Sequence, residues 1–387
     1  MTIPVRWCVD FPLAGARLDK PQTPVRGWIA ARAGARIGGM WIRSGTQRVP
    51  LRRVARVDVM EAMPGESTAG FQGAIALDAI AAEEGAQLEV EVDGEIVTLP
   101  LDVIFDEEAA RTFAESKRRK LAGIQALLQC PVCKGHEFSS AAGEILCAEC
   151  ATHFARSPRG YDFLTSDLRA LGAIEDTDSI STNAYDPAAL QMIAERPDGW
   201  ILDAGSGLRD EYFANVVNFE IVDYASTDVV GLCERLPFRD GAFDAVFSFA
   251  VLEHIRDPFQ AAREIVRVLK PGGVLYAAVP FLQPFHAYPN HYYNMTSKGL
   301  RNLFPTLVAE IEDVPASGLP IWALVWILRS WTAGLPPEAA ASFGDMRVRD
   351  LLGDPAAYLS EPFVAALSPK ANEELACVNR LVARKPA

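Results

Sequence analysis

The sequence predicts a multidomain chain in which an all-β sandwich, a small four-cysteine module and an α/β doubly wound domain follow one another. Three observations predict it: period-two hydrophobic alternation up to about residue 105, two CxxC pairs near residue 140, and a strand, glycine-turn, helix, strand rhythm from Gly199 onward. At 387 residues the chain is too long for one ordinary core, and at roughly 150 residues per domain it divides into two or three. Half of the residues are hydrophobic and 22% are charged, the composition of a folded protein rather than a disordered one.

Residues 1–105 read as short alternating segments (VRGWIAAR, ARIGGMWIRSG, QRVPLRRVARVDV, GFQGAIAL, AQLEVEVDG, EIVTLPLDV) divided by glycine-containing turns. That alternation indicates a sandwich whose inner faces are apolar. It contains no cluster of ionisable residues fit for chemistry, so a binding or spacer role is expected. Residues 106–129 place acidic side chains first and basic ones later, with no glycine or proline before Gly123, as a connecting helix would. The basic run Lys117 to Lys120 is expected to be a solvated face.

Residues 130–165 hold Cys130, Cys133, Cys147 and Cys150, with thirteen residues between the pairs. At this spacing two tight turns can each present two thiolates to one tetrahedral ion, and four thiolates close the shell, so a structural rather than catalytic zinc is expected. His136 and His153 are then bystanders. The other cysteines (Cys8, Cys233 and Cys377) are scattered, which suits a metal site in a reducing compartment better than a disulfide framework. The text around the four cysteines (LLQCPVCKG, LCAECATHF, GYDFL) resembles the small zinc ribbons found beside methyltransferase domains.

From Trp200 an apolar strand runs into Asp203-Ala204-Gly205-Ser206-Gly207. Glycine lets a ligand approach the backbone of such a turn closely. A second strand ends near Glu220 and Asp223, where a carboxylate in doubly wound folds accepts ribose hydroxyls; Glu220 is the first choice. Asp257 and Pro258 mark a helix start, and Pro271-Gly272-Gly273 its end.

The ordered series DAGSG, Leu236-Pro237-Phe238, FDAVFS (Phe243 to Ser248), Leu252-Glu253-His254 and RVLKPGG (Arg267 to Gly273) resembles the class I methyltransferases with a Rossmann-like fold. The likeness covers roughly residues 199–285 and makes 180–387 the methyltransferase domain, with a helical insertion near 317–370. It implies S-adenosylmethionine as cofactor. Gly205 and Gly207 would lie against its methionine end, Glu220 or Asp223 on the ribose and Leu232 and Cys233 beside adenine, with Asp203 and Ser248 also among the cofactor-binding residues. Two departures stand out: Arg209 replaces a glycine of the first motif, and Leu232 replaces an acidic residue before the LPF segment. They leave open a binding or scaffold protein that keeps the fold without turnover. The segment between the second strand and LPF is short, so the helix that usually joins them is expected to be reduced or missing.

Methyl transfer from a sulfonium needs alignment, plus a base for a hydroxyl acceptor. His254 is one candidate base or a loop-fixing histidine; His286, Tyr288, His291 and Tyr292 either handle the acceptor or pack their loop. Val308 to Val314 and Leu375 to Lys385 are expected to form the last two strands, and Trp322, Trp326 and Trp331 to lie on the helical insertion, as core packing, a lid or a peripheral membrane contact. The expected acceptor is a small molecule, a lipid-linked intermediate or a glycan, methylated at oxygen or carbon. The net charge of −13 argues against nucleic acid, and with it against an RNA-directed enzyme. The N-terminus lacks a secretory pattern and the most apolar stretch, Gly318 to Leu328, is about half the ~20 residues a bilayer needs, so a cytoplasmic protein is expected. Oligomeric state is not written in these residues.

Overall fold

The computed structural model describes residues 5–380 and 384, apart from 45–46, 78–84, 142, 158, 176–180, 183 and 287–289. The chain divides into two compact units, residues 1–249 with 260–277, and residues 250–259 with 278–387.

The first unit begins with ten short strands: β1 (Val5–Phe11), β2 (Ala16–Leu18), β3 (Gln22–Ala31), β4 (Ile37–Ser44), β5 (Gln47–Pro50), β6 (Arg52–Val54), β7 (Ser67–Ala76), β8 (Ala86–Val92), β9 (Glu95–Leu101) and β10 (Val103–Phe105). Two four-stranded antiparallel sheets form, in the orders β1-β3-β7-β6 and β5-β4-β8-β9. Ile29, Phe71, Leu88 and Val90 alternate inward from both sheets into one shared core, as period-two patterning requires. The segment read as the end of a strand at Val57 instead starts a short helix, α1 (Val57–Ala62).

Helix α2 (Glu107–Ile124) is capped by Asp106, whose carboxylate accepts the Ala109 amide, and carries Glu107 and Glu108 in its first turn. The expectation of a solvated basic face fails for two of its four residues. Arg118 and Arg119 are exposed, but Lys117 and Lys120 are buried. Three residues apart, they share a helix face. Lys117 Nζ donates to the carbonyls of Ala225 (2.7 Å) and Thr227 (2.6 Å), and Lys120 Nζ to that of Val216 (2.6 Å) and to Asp228 Oδ2 (2.9 Å). Burial pushes the Lys120 ammonium down to about 8.

The cysteine segment folds as β11 (Phe138–Ala141), β12 (Glu144–Cys147), β13 (His153–Ser157) and β14 (Gly160–Asp162). Helices α3 (Ser166–Leu171) and α4 (Pro187–Ala194) lead to β15 (Ile201–Ala204), β16 (Val216–Glu220), β17 (Val229–Val230), β18 (Phe243–Phe249), α5 (Pro258–Val268) and β19 (Leu269–Ala278). All nine strands join one sheet, β11-β12-β13-β14-β17-β16-β15-β18-β19. The cysteine strands pair antiparallel with one another, while β14, β17, β16, β15 and β18 run parallel. Strand order reverses at β15, which gives a doubly wound core whose ligand edge lies at the carboxyl ends of β15 and its neighbours. Residues 221–228, which join β16 to β17, form no helix, as the short segment predicted.

The second unit contains α6 (Ser297–Leu303), α7 (Pro320–Ala333), α8 (Pro337–Gly344), α9 (Pro362–Ala365) and α10 (Pro369–Glu374). The two expected final strands are absent among the described residues: 308–314 carry none, and 375–380 follow α10 without strand structure. Val308, Ile311 and Val314 recur every third residue with acids between them, a spacing that puts no two neighbours on one face of a strand, and Val308 is 88% exposed. Nor does α7 pack as a core helix. None of its residues is buried, although Trp331 Nε1 donates to the Phe363 carbonyl (2.8 Å) and its ring stacks on Phe343. No helix among the described residues is long and apolar enough to cross a membrane.

Candidate functional sites

At the carboxyl end of β15 the chain turns sharply through Gly205 (φ +87°) and Gly207 (φ +61°). These left-handed conformations explain glycine at both positions. A Cβ on Gly207 would stand 2.7 Å from the Ser181 carbonyl oxygen. The Gly205 and Ser206 amides both donate to the Phe219 carbonyl (2.9 and 3.0 Å), which locks the turn to β16. One residue on, Glu220 accepts the Gly207 amide at Oε2 (2.9 Å) and the Ile221 amide at Oε1 (2.7 Å). Its carboxyl group is pushed upward by burial, and these two backbone donors oppose the shift. Glycine turn and carboxylate, separate motifs in the sequence, are thus one hydrogen-bonded structure.

Asp203 lies under this turn, fully buried. Its Oδ2 accepts the Tyr185 hydroxyl (2.5 Å) and the Arg209 guanidinium (Nε 2.9 Å, Nη2 2.7 Å), and that guanidinium stacks on the Tyr185 ring at 4.0 Å. Asp203 Oδ1 has no hydrogen-bond partner, and neither has the buried Ser248 Oγ on β18. The register pairs Asp203 with Phe247, so Ser248 sits one position further along the adjacent strand. Leu232 and Cys233 are buried after β17, and Cys233 is close enough to Glu220 for its thiol to feel that charge; burial is the main cause of its strongly raised proton affinity. Asp223 is exposed, whereas Glu220 is bonded into the turn. The sequence singled out Asp203 and treated Arg209 as a departure; it gave no sign that Arg209 and Tyr185 converge on that carboxylate.

A shallow hollow lined by Arg196, Asp198, Asp244, Lys270 and Gly272 lies at the amino ends of β15 and β18, the edge opposite to the glycine turn. It is therefore not the candidate cofactor pocket.

In the second unit, Glu253, His254, His286 and His291 gather. His254 Nδ1 lies 2.7 Å from the Asn290 carbonyl and His286 Nδ1 2.9 Å from the Pro284 carbonyl. His291 Nδ1 accepts the His286 amide (3.2 Å), and its Nε2 faces Asn294 Oδ1 (3.0 Å). The loop is held in place by the Tyr292 and Tyr293 amides, which donate to the Glu253 carbonyl, and by the Phe285 amide, which donates to the Glu374 carbonyl. Burial lowers His254 to about 4, with the neighbouring histidines adding to the effect, and it also lowers His286 and His291. All three rings are neutral near pH 7. Glu253 is fully buried, its proton affinity raised by burial to about 8, and neither carboxyl oxygen has a hydrogen-bond partner. The sequence reading named His254 and passed over the carboxylate immediately before it. Tyr292 is partly exposed and bonds Asn290 Oδ1; Tyr288 lies outside the described residues.

The four cysteines form two matching knuckles. Cys130 O accepts the Lys134 amide and Cys147 O the Ala151 amide (2.9 Å each), while Lys134 and Ala151 close the turns at φ 67° and 56°. Sulfur atoms of Cys130 and Cys150 stand 3.7 Å apart, those of Cys133 and Cys147 3.5 Å, and all four lie within 4.8 Å of one another. Four thiolates at about 2.3 Å from a tetrahedral zinc would be about 3.8 Å apart, so the residues fit that ion. His153 instead pairs with Glu144 (3.1 Å).

Residues 205–277 match the family described as "Methyltransferase domain". A methyltransferase of Schizosaccharomyces pombe is 30% identical over 144 residues, 37% of this chain and 49% of the relative. A demethylmenaquinone methyltransferase of Beutenbergia cavernae is 31% identical over 152 residues, 33% of this chain and 58% of the relative. The chain thus spans about half the length of these relatives. A solved S-adenosylmethionine-dependent methyltransferase of Thermotoga maritima aligns with 30% of this chain and 66% of its own at 24% identity, with a TM-score of 0.25, too low to bear on the fold. The doubly wound reading rests on the strand order above.

Proposed function

We propose that this chain is an S-adenosylmethionine-dependent methyltransferase acting on a small-molecule, lipid-linked or glycan acceptor at oxygen or carbon. One observation carries the reading: the methyltransferase match begins at Gly205, the glycine turn whose Gly207 amide is bonded to Glu220 at the carboxyl edge of a doubly wound sheet. When bound, the sulfonium cofactor supplies the methyl group. Glu220, with lone pairs beyond those used by two amides, would accept the ribose hydroxyls. Gly205 and Gly207 would admit the cofactor close to the backbone, Leu232 and Cys233 would offer an apolar wall to adenine, and the orphaned Asp203 Oδ1 and Ser248 Oγ would find polar partners.

Few further groups are required, because in-line displacement depends mainly on alignment. The neutral His254, His286 and His291 are assigned to the acceptor side, where His254 and His286 offer their Nε2 lone pairs and His291, engaged at both nitrogens, braces His286. Zinc in the four-cysteine site would be structural, stiffening the hairpins that continue the sheet through β14, and reduced thiolates are in keeping with a cytoplasmic setting. Nucleic acid is not the proposed partner of so acidic a chain.

Calorimetric titration with S-adenosylmethionine and with S-adenosylhomocysteine tests this. Micromolar binding of both, followed by transfer of labelled methyl to an acceptor from these classes, is the expected result; a folded, zinc-loaded protein that binds neither would overturn it.

A further inference from the structure

Glu253 presents an unresolved physical problem: a fully buried carboxyl group with no hydrogen-bond partner on either oxygen. Burying such a group is unfavourable unless something compensates it. Its surroundings are specific. His254 Nε2 lies 3.7 Å from Glu253 Oε1, and one nitrogen each of His254 and His286 lies within 4.8 Å of that carboxylate and of the other.

The tautomers follow from the partners. A carbonyl oxygen can only accept, so the Nδ1 atoms of His254 and His286, facing the carbonyls of Asn290 and Pro284, carry the protons. Both Nε2 atoms are left with free lone pairs. Metal-ligating histidines are oriented in this way, one nitrogen tied to a backbone carbonyl and the other offered to the ion. His291 is occupied at both nitrogens and braces His286 through its amide.

We propose that Glu253, His254 and His286 hold one divalent first-row transition ion, a two-histidine, one-carboxylate site with positions left open for oxygen ligands. Two ligand atoms about 2.1 Å from a common ion stand at most about 4.2 Å apart. The Glu253–His254 pair already satisfies this limit, and since no separation exceeds 4.8 Å, at most roughly 0.6 Å has to close for the others. The ion is distinct from the one fitted by the cysteines, since no residue is shared. Its hard oxygen and imidazole donors also differ from four thiolates in the metals they favour.

That difference sets the test. The full-length protein, with zinc kept in its four-cysteine site, is titrated with Mn2+, which thiolates bind weakly, and free Mn2+ is followed by electron paramagnetic resonance. One saturable Mn2+ per chain is expected, with binding weakened at least tenfold in His286→Asn and in Glu253→Gln. His291→Asn, which removes only the brace, should weaken it less. Should Glu253→Gln fail to fold, His286→Asn on the partly exposed loop still decides, with retained zinc and an unchanged melting profile as the folding control. No saturable Mn2+ in the wild type, or equal affinity in a folded His286→Asn, would overturn the proposal. The readout involves neither cofactor nor acceptor, so it stands or falls separately from the methyltransferase reading.

Discussion

Replacing Arg209 by methionine removes a guanidinium that is 2% exposed and that supplies two donors to Asp203 Oδ2, itself wholly buried. What remains is a carboxylate out of water whose other oxygen is already unpartnered and whose remaining donor is the Tyr185 hydroxyl. Breaking one side of a buried ion pair costs about 3–5 kcal/mol, because the surviving charge is left uncompensated. Loss of the stacking on Tyr185 acts in the same direction. At the urea sensitivity usual for folded proteins, the unfolding midpoint of Arg209→Met should fall by on the order of 1 M. Asp203→Asn should be similarly destabilised, since it strands the guanidinium. The double variant, which strands neither charge, should be no worse than either single one, a coupling of at least about 3 kcal/mol. Circular dichroism during urea unfolding of the four proteins completes the cycle. Additive effects, or a cost below about 1 kcal/mol for Arg209→Met, would refute the claim that Arg209 is a structural counter-ion where the family resemblance places glycine.

Other predictions test the remaining parts of the first unit. Gly207→Val, forced to φ +61° with its Cβ 2.7 Å from the Ser181 carbonyl oxygen, should abolish S-adenosylhomocysteine binding by calorimetry while leaving the zinc content unchanged. Cys147→Ala opens the four-thiolate shell and should lose stoichiometric zinc by elemental analysis together with several degrees of thermal stability; an unchanged melt would remove the structural role. Lys120 titrates near 8 when folded against 10.5 unfolded, so between these values the unfolded chain binds more protons. Its contribution to stability therefore rises with pH through that window and is lost as pH falls through about 8. Urea midpoints measured from about pH 8 to about 9.5 should climb more steeply in the wild type than in Lys120→Met, and parallel slopes would contradict the assignment.

Much of the geometry at the carboxyl edge of the sheet, the candidate cofactor site, was legible in the sequence because local rules act there directly. Two glycines after an apolar strand predict a turn with positive φ, and a carboxylate ending the next strand predicts a neighbour across a parallel ladder; Gly207 and Glu220 meet accordingly. The sandwich was legible for the same kind of reason, period-two alternation being visible within each segment. Other features depend on partners far away in the chain. Nothing local tells that Arg209 turns inward to Asp203 and Tyr185, or that Glu253 is dry while His254 is partly wet. Val308 to Val314 misled because β-branched residues suggest strand by composition, whereas their spacing of three denies it a face. The apolar α7 was expected to be packed, yet hydrophobicity does not specify what covers a helix, and here no residue of it is buried.

The basic run of α2 shows how a charge pattern can conceal a packing role. Eight residues, 221–228, connect the parallel strands β16 and β17, fewer than the dozen or so that a helical crossover needs. The sheet beside those strands is thus left without the helix that a crossover would normally lay on its face. Helix α2 supplies it from an earlier part of the chain: Lys117 and Lys120 satisfy the carbonyls of Val216, Ala225 and Thr227, and Asp228 answers their charge while accepting the Tyr212 hydroxyl and the Asn218 amide. Buried lysines are tolerated only with such partners, which makes the position of α2 specific rather than merely favourable. Because these contacts lie at the amino ends of the strands, opposite to Gly207 and Glu220, the chain secures a shortened sheet without occupying the edge where a cofactor would bind.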